Sequence, residues 1–427
     1  MTMPPSLIND CFLHDKDRLL HEEALAILKE HLTPIVGRES VLLENCFGRV
    51  VSQDILAPNN VPLHTNSAVD GYAFCHADLD VLPFTLSDRI TAGKPTHTPL
   101  SPHTTARIFT GAMMPAEADT VAMQEDCVVS GQQVQIPKGL KKGANCRLLG
   151  EDLWAGDLVI SKGARLNASD IAALASIGMG SVPVFRNLKI GLFSNGNEMR
   201  IPGSSSAPLS LGEVYDANQP LISTLCKNLP IELHLGGIIE DSATIALETI
   251  SKAAKKYDVI ITTGGASRGD EDHMLSVLDK LGKRHLWQLA VKPGRPMMFG
   301  QIPRMESEQD CLFFGLPGNP VAAMVCFLLY TRPSLLALAG ANWETQTRFQ
   351  VTADFNLENK KTDRREFQRG ILNTDETGTL TVRKYERDGS GLISSLREAD
   401  GLIELSEEVT EVKKGQTVSF IPFSSFD

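Results

Sequence analysis

Apolar positions along the chain change their period several times. Across residues 16–30 (KDRLLHEEALAILKE), Leu19, Leu20, Ala24, Ile27 and Leu28 fall on one face at helical spacing. From Val41 to Ala57 (VLLENCFGRVVSQDILA) the pattern turns strand-like. A proline-bounded segment, PNNVPLHTNSAVDGYAF, then opens a stretch of short strands that runs to about residue 137 and leaves through PKGLKKGANCR. A short helix is expected over 169–178 (SDIAALASIG), with Ser169 as N-cap and Gly178 at its end. From about residue 184, strands and helices alternate. LKIGLF, DVIITT, LWQLAV and CLFFG read as buried strands. YDANQPLISTLCKNL, EDSATIALETISKAAKK, EDHMLSVLDKL and GNPVAAMVCFLLYTRPSLLALA read as helices. That alternation predicts a doubly wound parallel sheet with helices on both faces. Beyond about residue 340 short strands return.

At 427 residues the chain is too long for one core, so three or four domains are expected. A formal net charge of −11 without a Lys/Arg cluster argues against a nucleic-acid partner. Eight cysteines lack a C-x-x-C pair, which disfavours zinc ribbons and suits a reducing compartment. The first residues show no secretory pattern, and the apolar run from Val321 to Tyr330 is short for a bilayer span. The expectation is a cytoplasmic protein with no membrane partner.

The chemistry concentrates in loops between 258 and 326, read as three strand–loop–helix units. DVIITTGGASRGDEDHMLSVLDKLG, LWQLAVKPGRPMMFG and CLFFGLPGNPVAAMVCF each carry a glycine- or proline-rich loop. Such loops let a ligand approach bare backbone, and the helix N-termini that follow favour anions. In a doubly wound sheet, loops after the strands converge at one edge. SNGNEM, TTGGASRGDED, VKPGRP and LPGNP should meet there, bringing Glu198 and Asp272 together, with Asp216 of GEVYDAN nearby. Each acid alone is as readily a helix cap or a solvated carboxylate. Several at one edge repel unless a cation bridges them, and oxygen-only ligands point to magnesium. Lys292 and Arg295 flank Pro293 and Gly294, a rigid turn or an oxyanion clamp. Asp70 in NSAVDGYA, Thr110 in RIFTGA and Asp152 in GED are ordinary turn residues taken singly.

Taken together, these motifs resemble the molybdopterin molybdenumtransferases, the bacterial MoeA family related to the E domain of gephyrin. VPLHTNSAVDGYAF, ARIFTGAMMP, NCRLLGEDLWAGD, GLFSNGNEM, GEVYDAN, TTGGASRGDED, VKPGRPMMFG, GLPGNPVAA and RDGSGLISSLREADGLIEL follow in the family's order over nearly the whole chain. The resemblance implies a multidomain α/β plus β protein. Residues 1–54 with 150–183 would form an elongated mixed linker domain, 55–149 a mainly β inserted domain, 184–340 the central α/β molybdopterin-binding domain, and 341–427 a C-terminal β domain. It implies molybdenum cofactor biosynthesis: magnesium-dependent insertion of molybdate into adenylylated molybdopterin, with release of AMP. Matched position by position, the family's active-site residues fall on Asp70, Thr110, Asp152, Glu198, Asp216, Asp272 and Lys292. Magnesium would be held by Glu198, Asp216 and Asp272. The substrate would lie against Gly264, Gly265, Ser267, Lys292, Arg295, Pro317, Gly318, Asn319 and Pro320. Family members are elongated homodimers whose site is shared between chains, which would bring Asp70 across the interface. The molybdopterin adenylyltransferase is a candidate protein partner.

This chain departs from the family pattern at several points. Asn195 and Asn197 stand in the T-G-D-E-L segment, Gln288 replaces a lysine four residues before the clamp, and Arg295 replaces the second clamp lysine. In S-V-G, Arg268 takes the middle position. The adenylyltransferases, which share a related α/β domain, typically show G-G-T-G where this chain has Gly264, Gly265, Ala266 and Ser267. A scaffold role of the gephyrin kind, and tungstate in place of molybdate, are compatible with the same residues.

Overall fold

The computed structural model describes residues 18–204, 206–265, 273–304 and 309–426. Its centre is a sheet of Leu188–Asn195 (β1), Ile231–Ile239 (β2), Val259–Thr263 (β3), Lys283–Gln288 (β4), Pro296–Ile302 (β5) and Cys311–Leu316 (β6). Their spatial order is β2-β1-β3-β6-β5-β4. The first four in that order run parallel, whereas β5 is antiparallel to β6 and β4 to β5. The sheet is therefore mixed, where the alternation predicted a parallel one. Residues 286–300 are not a strand–loop–helix unit. After β4 the chain turns back directly into β5, and Leu289 N–H donates to Arg295 O at 2.9 Å to close the turn. A parallel return would need a crossover of a dozen residues or more, and no such length separates β4 from β5.

Helices Asn218–Leu225 (α1), Ala243–Lys256 (α2), His273–Leu281 (α3) and Pro320–Leu338 (α4) cover both faces of this sheet. The strand alternation sorts them. Ile260 and Phe313 pack with Ile250 of α2 and Leu278 of α3. Val259, Ile261 and Phe314 point the other way, toward Ile222 of α1 and the apolar length of α4. Helix α4 has 19 residues, including a π-helical turn at Phe327–Thr331, and by length and composition it could cross a membrane. The apolar run thus continues well past Tyr330, and all of it is buried inside the protein. It is a core helix.

The flanking parts are mostly β. Arg38–Leu42 pairs antiparallel with Ser181–Phe185, and Ile55–Leu56 with Leu158–Ile160, over a core that includes Val51, Leu166 and Leu174. Helix Ala168–Ser176 in this part starts earlier than expected. Its N-cap is Asn167, whose Oδ1 accepts from Ser169 N (2.8 Å) and Asp170 N (3.0 Å), while Asp170 reaches back to Asn167 N. A mixed sheet between these segments orders 120–123, 71–74, 104–108, 84–90, 133–135 and 128–130. At the C-terminal side, Phe349–Ala353, Arg365–Thr374, Leu380–Lys384, Gly401–Leu405 and Thr417–Pro422 close into a five-stranded barrel. Closure follows because Arg365–Thr374 pairs with strands on both its sides. Val291–Lys292, just beyond β4, adds to this barrel in parallel with Arg365–Glu366.

Helix His21–His31 seals the junction between α4 and the barrel. His21 is fully buried, with Nδ1 2.6 Å from the Tyr330 hydroxyl and its ring edge-on to Tyr330 and Phe367. Its Nε2 has no hydrogen-bond partner among the described residues. Glu22 and Glu404 come close to it, a grouping with metal-ligand character that the sequence spacing did not show. Both acids are already engaged by Arg365, at 2.6 and 2.8 Å, and Glu404 also by Arg348 at 2.7 Å. Burial, with Arg365 and Arg348 close by, pushes the His21 imidazole down from 6.5 to about 3. Between those values the unfolded chain binds a proton that the native chain does not, so stability falls as pH drops below 6.5. We expect wild type to lose about 1.4 kcal/mol per pH unit more than a His21→Phe variant on acidification below that point. Denaturant unfolding at successive pH values tests this; parallel losses in the two proteins would show that His21 is not the buried neutral group.

Candidate active site

The carboxyl ends of the parallel strands open into a cleft of about 1190 Å³. Asn195, Gly196 and Glu198 enter it from the end of β1, Gly264 and Gly265 from β3, and Pro317 to Pro320 from β6. Lys292 and Arg295 enter from the turn after β4. The opposite wall belongs to the barrel, through Arg364, Gln368, Arg369 and the loop Asp388–Gly391. Sequence reasoning did not assign this wall. The glycine-rich RDGSG stretch, between Leu380–Lys384 and the short helix Ile393–Glu398, was its one visible sign.

The backbone comes bare to the cleft where side chains would not fit. Gly264 and Gly265 adopt φ of +81° and +73°. In the clamp turn Gly294 has φ +109°, and a Cβ there would stand 2.5 Å from Cys326 Sγ. The N-terminus of α4 meets the barrel loop directly, with Val321 N–H donating to Ser390 O at 3.0 Å.

Charge in the cleft is organised around one buried carboxylate. Glu366 is 4% exposed and takes Lys292 Nζ at 3.4 Å, Arg364 Nε at 3.3 Å and Gln368 Nε2 at 2.7 Å. Arg295 Nη2 donates to Gln288 Oε1 at 3.3 Å, so this glutamine orients the clamp arginine. Arg369, 4% exposed, holds the barrel loop through Arg387 O and Gly389 O. These cations converge on a space suited to an anion.

The expected acids divide. Glu198 is exposed in the cleft, its carboxylate folded over Gly196, and no donor engages it among the described residues. Asp241, which the sequence reading missed, also lines the cleft. Its Oδ2 accepts from Asn197 N at 2.9 Å, and Asn197 Oδ1 accepts from Asp241 N at 3.0 Å. Asp216 differs from the expectation of an open ligand. It is 2% exposed, its Oδ2 accepts from Ser194 Oγ at 2.5 Å, and its Oδ1 accepts from Asn218 N and Gln219 N at 3.0 and 3.1 Å. It lies behind the cleft and caps the first turn of α1. Asp70 and Thr110 meet each other in the inserted β sheet. Thr110 N and Oγ1 both donate to Asp70 Oδ1 at 2.8 Å and hold that carboxyl below its usual range. Neither lines the cleft of its own chain, and neither does the exposed Asp152. Ser267 and Asp272 lie outside the described residues.

Comparison with known proteins is consistent along the chain. Residues 19–178 match the description "MoeA N-terminal region (domain I and II)", 192–337 "Probable molybdopterin binding domain", and 352–423 "MoeA C-terminal region (domain IV)". A molybdopterin molybdenumtransferase of Haemophilus influenzae is 33% identical over 406 residues, covering 94% of this chain and 98% of that one. The chain belongs to the molybdopterin molybdenumtransferase (MoeA) family. A Nostoc member is 34% identical over 306 residues, 70% of this chain and 69% of that one. A solved molybdopterin biosynthesis MoeA protein from Pyrococcus horikoshii superposes with a TM-score of 0.77 at 29% identity, covering 95% of this chain and 99% of that chain. This molybdenumtransferase is therefore an enzyme of molybdenum cofactor biosynthesis, with the multidomain mixed-sheet architecture of MoeA.

In this molybdenumtransferase Asp216 and Glu198 should separate cleanly by mutation. Asp216→Ala removes a cap and the acceptor of the Ser194 hydroxyl, which is left only its 3.2 Å contact with Thr263 Oγ1, and should cost about 2 kcal/mol. Glu198→Ala, at an exposed side chain with no described donor, should stay within about 0.5 kcal/mol of wild type. Denaturant unfolding of both variants measures this, and an Asp216→Ala protein as stable as wild type would argue that the carboxylate is free.

Proposed function

We propose that the cleft transfers molybdate to adenylylated molybdopterin and releases AMP. The observation that carries this reading is the set of cations facing one space: Lys292 and Arg295 on the clamp turn and Arg364 on the barrel, beside the bare glycine backbone of two strand ends. A substrate with a phosphoanhydride and an incoming oxyanion together need such a set. Arg295 and Arg364 offer planar forks for paired oxygens, and Lys292 a point charge. Glu366 holds Lys292 and Arg364 in place, so the anion meets groups that are already oriented. The site assigns no protein nucleophile, since molybdate itself can attack.

Magnesium is part of the proposal. Among the described residues, no three cleft carboxylates gather as a ready-made ligand set. That suits magnesium, which is usually bound by one or two carboxylates together with substrate phosphates and water. Glu198 is free to take part and Asp241 stands at the same rim, while Asp272 lies outside the described residues. Bound there, magnesium would neutralise phosphate charge and polarise the bond that breaks.

The second protomer also enters as proposal. Around Asp152, the side chains of Leu63, Leu148, Trp154 and Leu158 are each more than half exposed. A second copy laid against that face would cover them and bring Asp70, Thr110 and Asp152 toward the other chain's cleft. The seven described cysteines are unpaired, in keeping with a cytoplasmic setting, where an adenylyltransferase would supply the substrate.

AMP release from adenylylated molybdopterin is the direct assay. We expect release that depends on molybdate and stops when magnesium is chelated. Lys292→Ala should lower it by about 10- to 100-fold through loss of charged contacts. Asp70→Ala should be impaired as well, and mixing it with Lys292→Ala should raise activity above that of either protein alone through mixed dimers. Tight pterin binding without AMP release under any oxyanion would sink the catalytic reading, and failure of the mixture to recover would sink the shared site.

A further inference from the structure

Another cation lines the cleft, and it comes from the N-terminal side of the described chain. Ala290 in the clamp turn is bonded in two directions: its N–H donates to Leu19 O at 2.8 Å, and its carbonyl accepts from Arg365 N at 2.9 Å. Arg18 and Arg364 each stand one residue before those partners, so a single residue of the turn draws them alongside each other. Leu19 is buried in the central core, whereas Arg18 and Arg364 both line the cleft. One carboxylate touches the two. Arg18 Nη1 lies 3.6 Å from Asp363 Oδ2, and Arg364 Nε lies 4.0 Å from Asp363 Oδ1. Among the described residues, Asp363 is the one acid that meets Arg18.

Both contacts are longer than the roughly 2.7–2.9 Å of a charge-assisted hydrogen bond. Asp363 is 53% exposed, so water competes for it and the pairs hold weakly. Two neighbouring guanidinium groups nevertheless repel unless an anion lies by them. We infer that Arg18 is a further anion-binding residue of the cleft, and that Asp363 is an internal carboxylate which a substrate oxyanion displaces. The inference rests on the substrate assignment above and adds a binding group to it. A tetrahedral oxyanion, whether the adenylyl phosphate or molybdate, offers more oxygens than a carboxylate and can accept from both arginine forks together. Glu366 keeps hold of Arg364 throughout, at 3.3 Å, so Arg18 is the arm that changes partner. Arg18 and Asp363 therefore act on binding with opposite sign.

The test uses that opposition. AMP, adenosine and sodium molybdate are titrated calorimetrically into wild type, Arg18→Gln and Asp363→Asn, with circular dichroism confirming that both variants fold. Arg18→Gln should weaken AMP or molybdate by about tenfold through loss of a charged contact. Asp363→Asn should tighten the same ligand by about threefold, the scale of an exposed pair. Adenosine, which has no phosphate, should bind all three proteins alike. A response confined to AMP assigns Arg18 to the phosphate, and one confined to molybdate assigns it to the incoming oxyanion. Unchanged affinity for both anions in Arg18→Gln would overturn the inference. Weakening by both variants would overturn it too, since a structural tie loses from either side. Molybdate-dependent AMP release is measured separately. Intact release beside an Arg18→Gln protein that binds both anions like wild type would remove Arg18 and leave the transfer reaction standing. Absence of release from wild type, with the two opposite shifts present, would sink the reaction and keep the anion site.

Discussion

The turn from Gln288 to Arg295 belongs to two sheets at once, and the cleft exists because of it. Its first strand, β4, ends the central sheet, and two residues later Val291–Lys292 runs in the barrel beside Arg365–Glu366. Leu19 bonds to the same turn through Gln288 O and Ala290 N. Three parts of the chain are thus knotted by backbone hydrogen bonds within a few residues of the clamp lysine. Glu366 makes the join electrostatic as well. With its carboxylate 5% exposed, removal of its cations would leave a buried charge uncompensated, which is far costlier than loss of a surface pair. Docking of the barrel and orientation of the clamp are one event.

The other wall is held by a carboxylate used inwardly. Asp216 joins the end of β1 to the start of α1, and Ser194, which it holds, also lies 3.2 Å from Thr263 at the end of β3. Three segments that carry cleft residues are therefore fixed relative to one another without any of these groups facing the ligand. A carboxylate with both oxygens filled by donors has little left for a cation. It can, however, stiffen the loops that do meet the substrate. The division of labour is between Asp216 and Glu366 as supports and Glu198, Lys292 and Arg295 as open groups.

The sequence shows this site best where its signals are local. Glycine and proline punctuate the loops, buried strands read as apolar runs, and so the cleft-lining roles of Gly264, Gly265, Lys292, Arg295 and residues 317–320 could be read directly. Strand β2 escaped because it is a half-exposed edge with two glycines, and β5 because a tight return looks like the continuation of a loop. The barrel wall was invisible for a different reason. Arg369 sits in the strand Arg365–Thr374 and Arg364 in the bend just before it, and closure of that barrel rests on pairings far apart in sequence. The same holds for Asp216. Its residue type fits a ligand or a cap equally, and the choice is made by Ser194, more than twenty positions away.

Several polar groups of the cleft are tied to one another. Gln288 orients Arg295, and Asn197 closes a reciprocal pair with Asp241. The barrel supplies Arg364 at the same cleft. Local placement of charge is effective because of screening. At physiological ionic strength exposed charges are felt over only about 8 Å. A phosphate inside the cleft thus senses Lys292, Arg295 and Arg364, together with the acids Glu198 and Asp241 at its rim, more than the distant charges that make up the formal −11. An acidic protein can therefore hold an anionic substrate, provided that its few cations are fixed in advance, and the buried Glu366 fixes two of them.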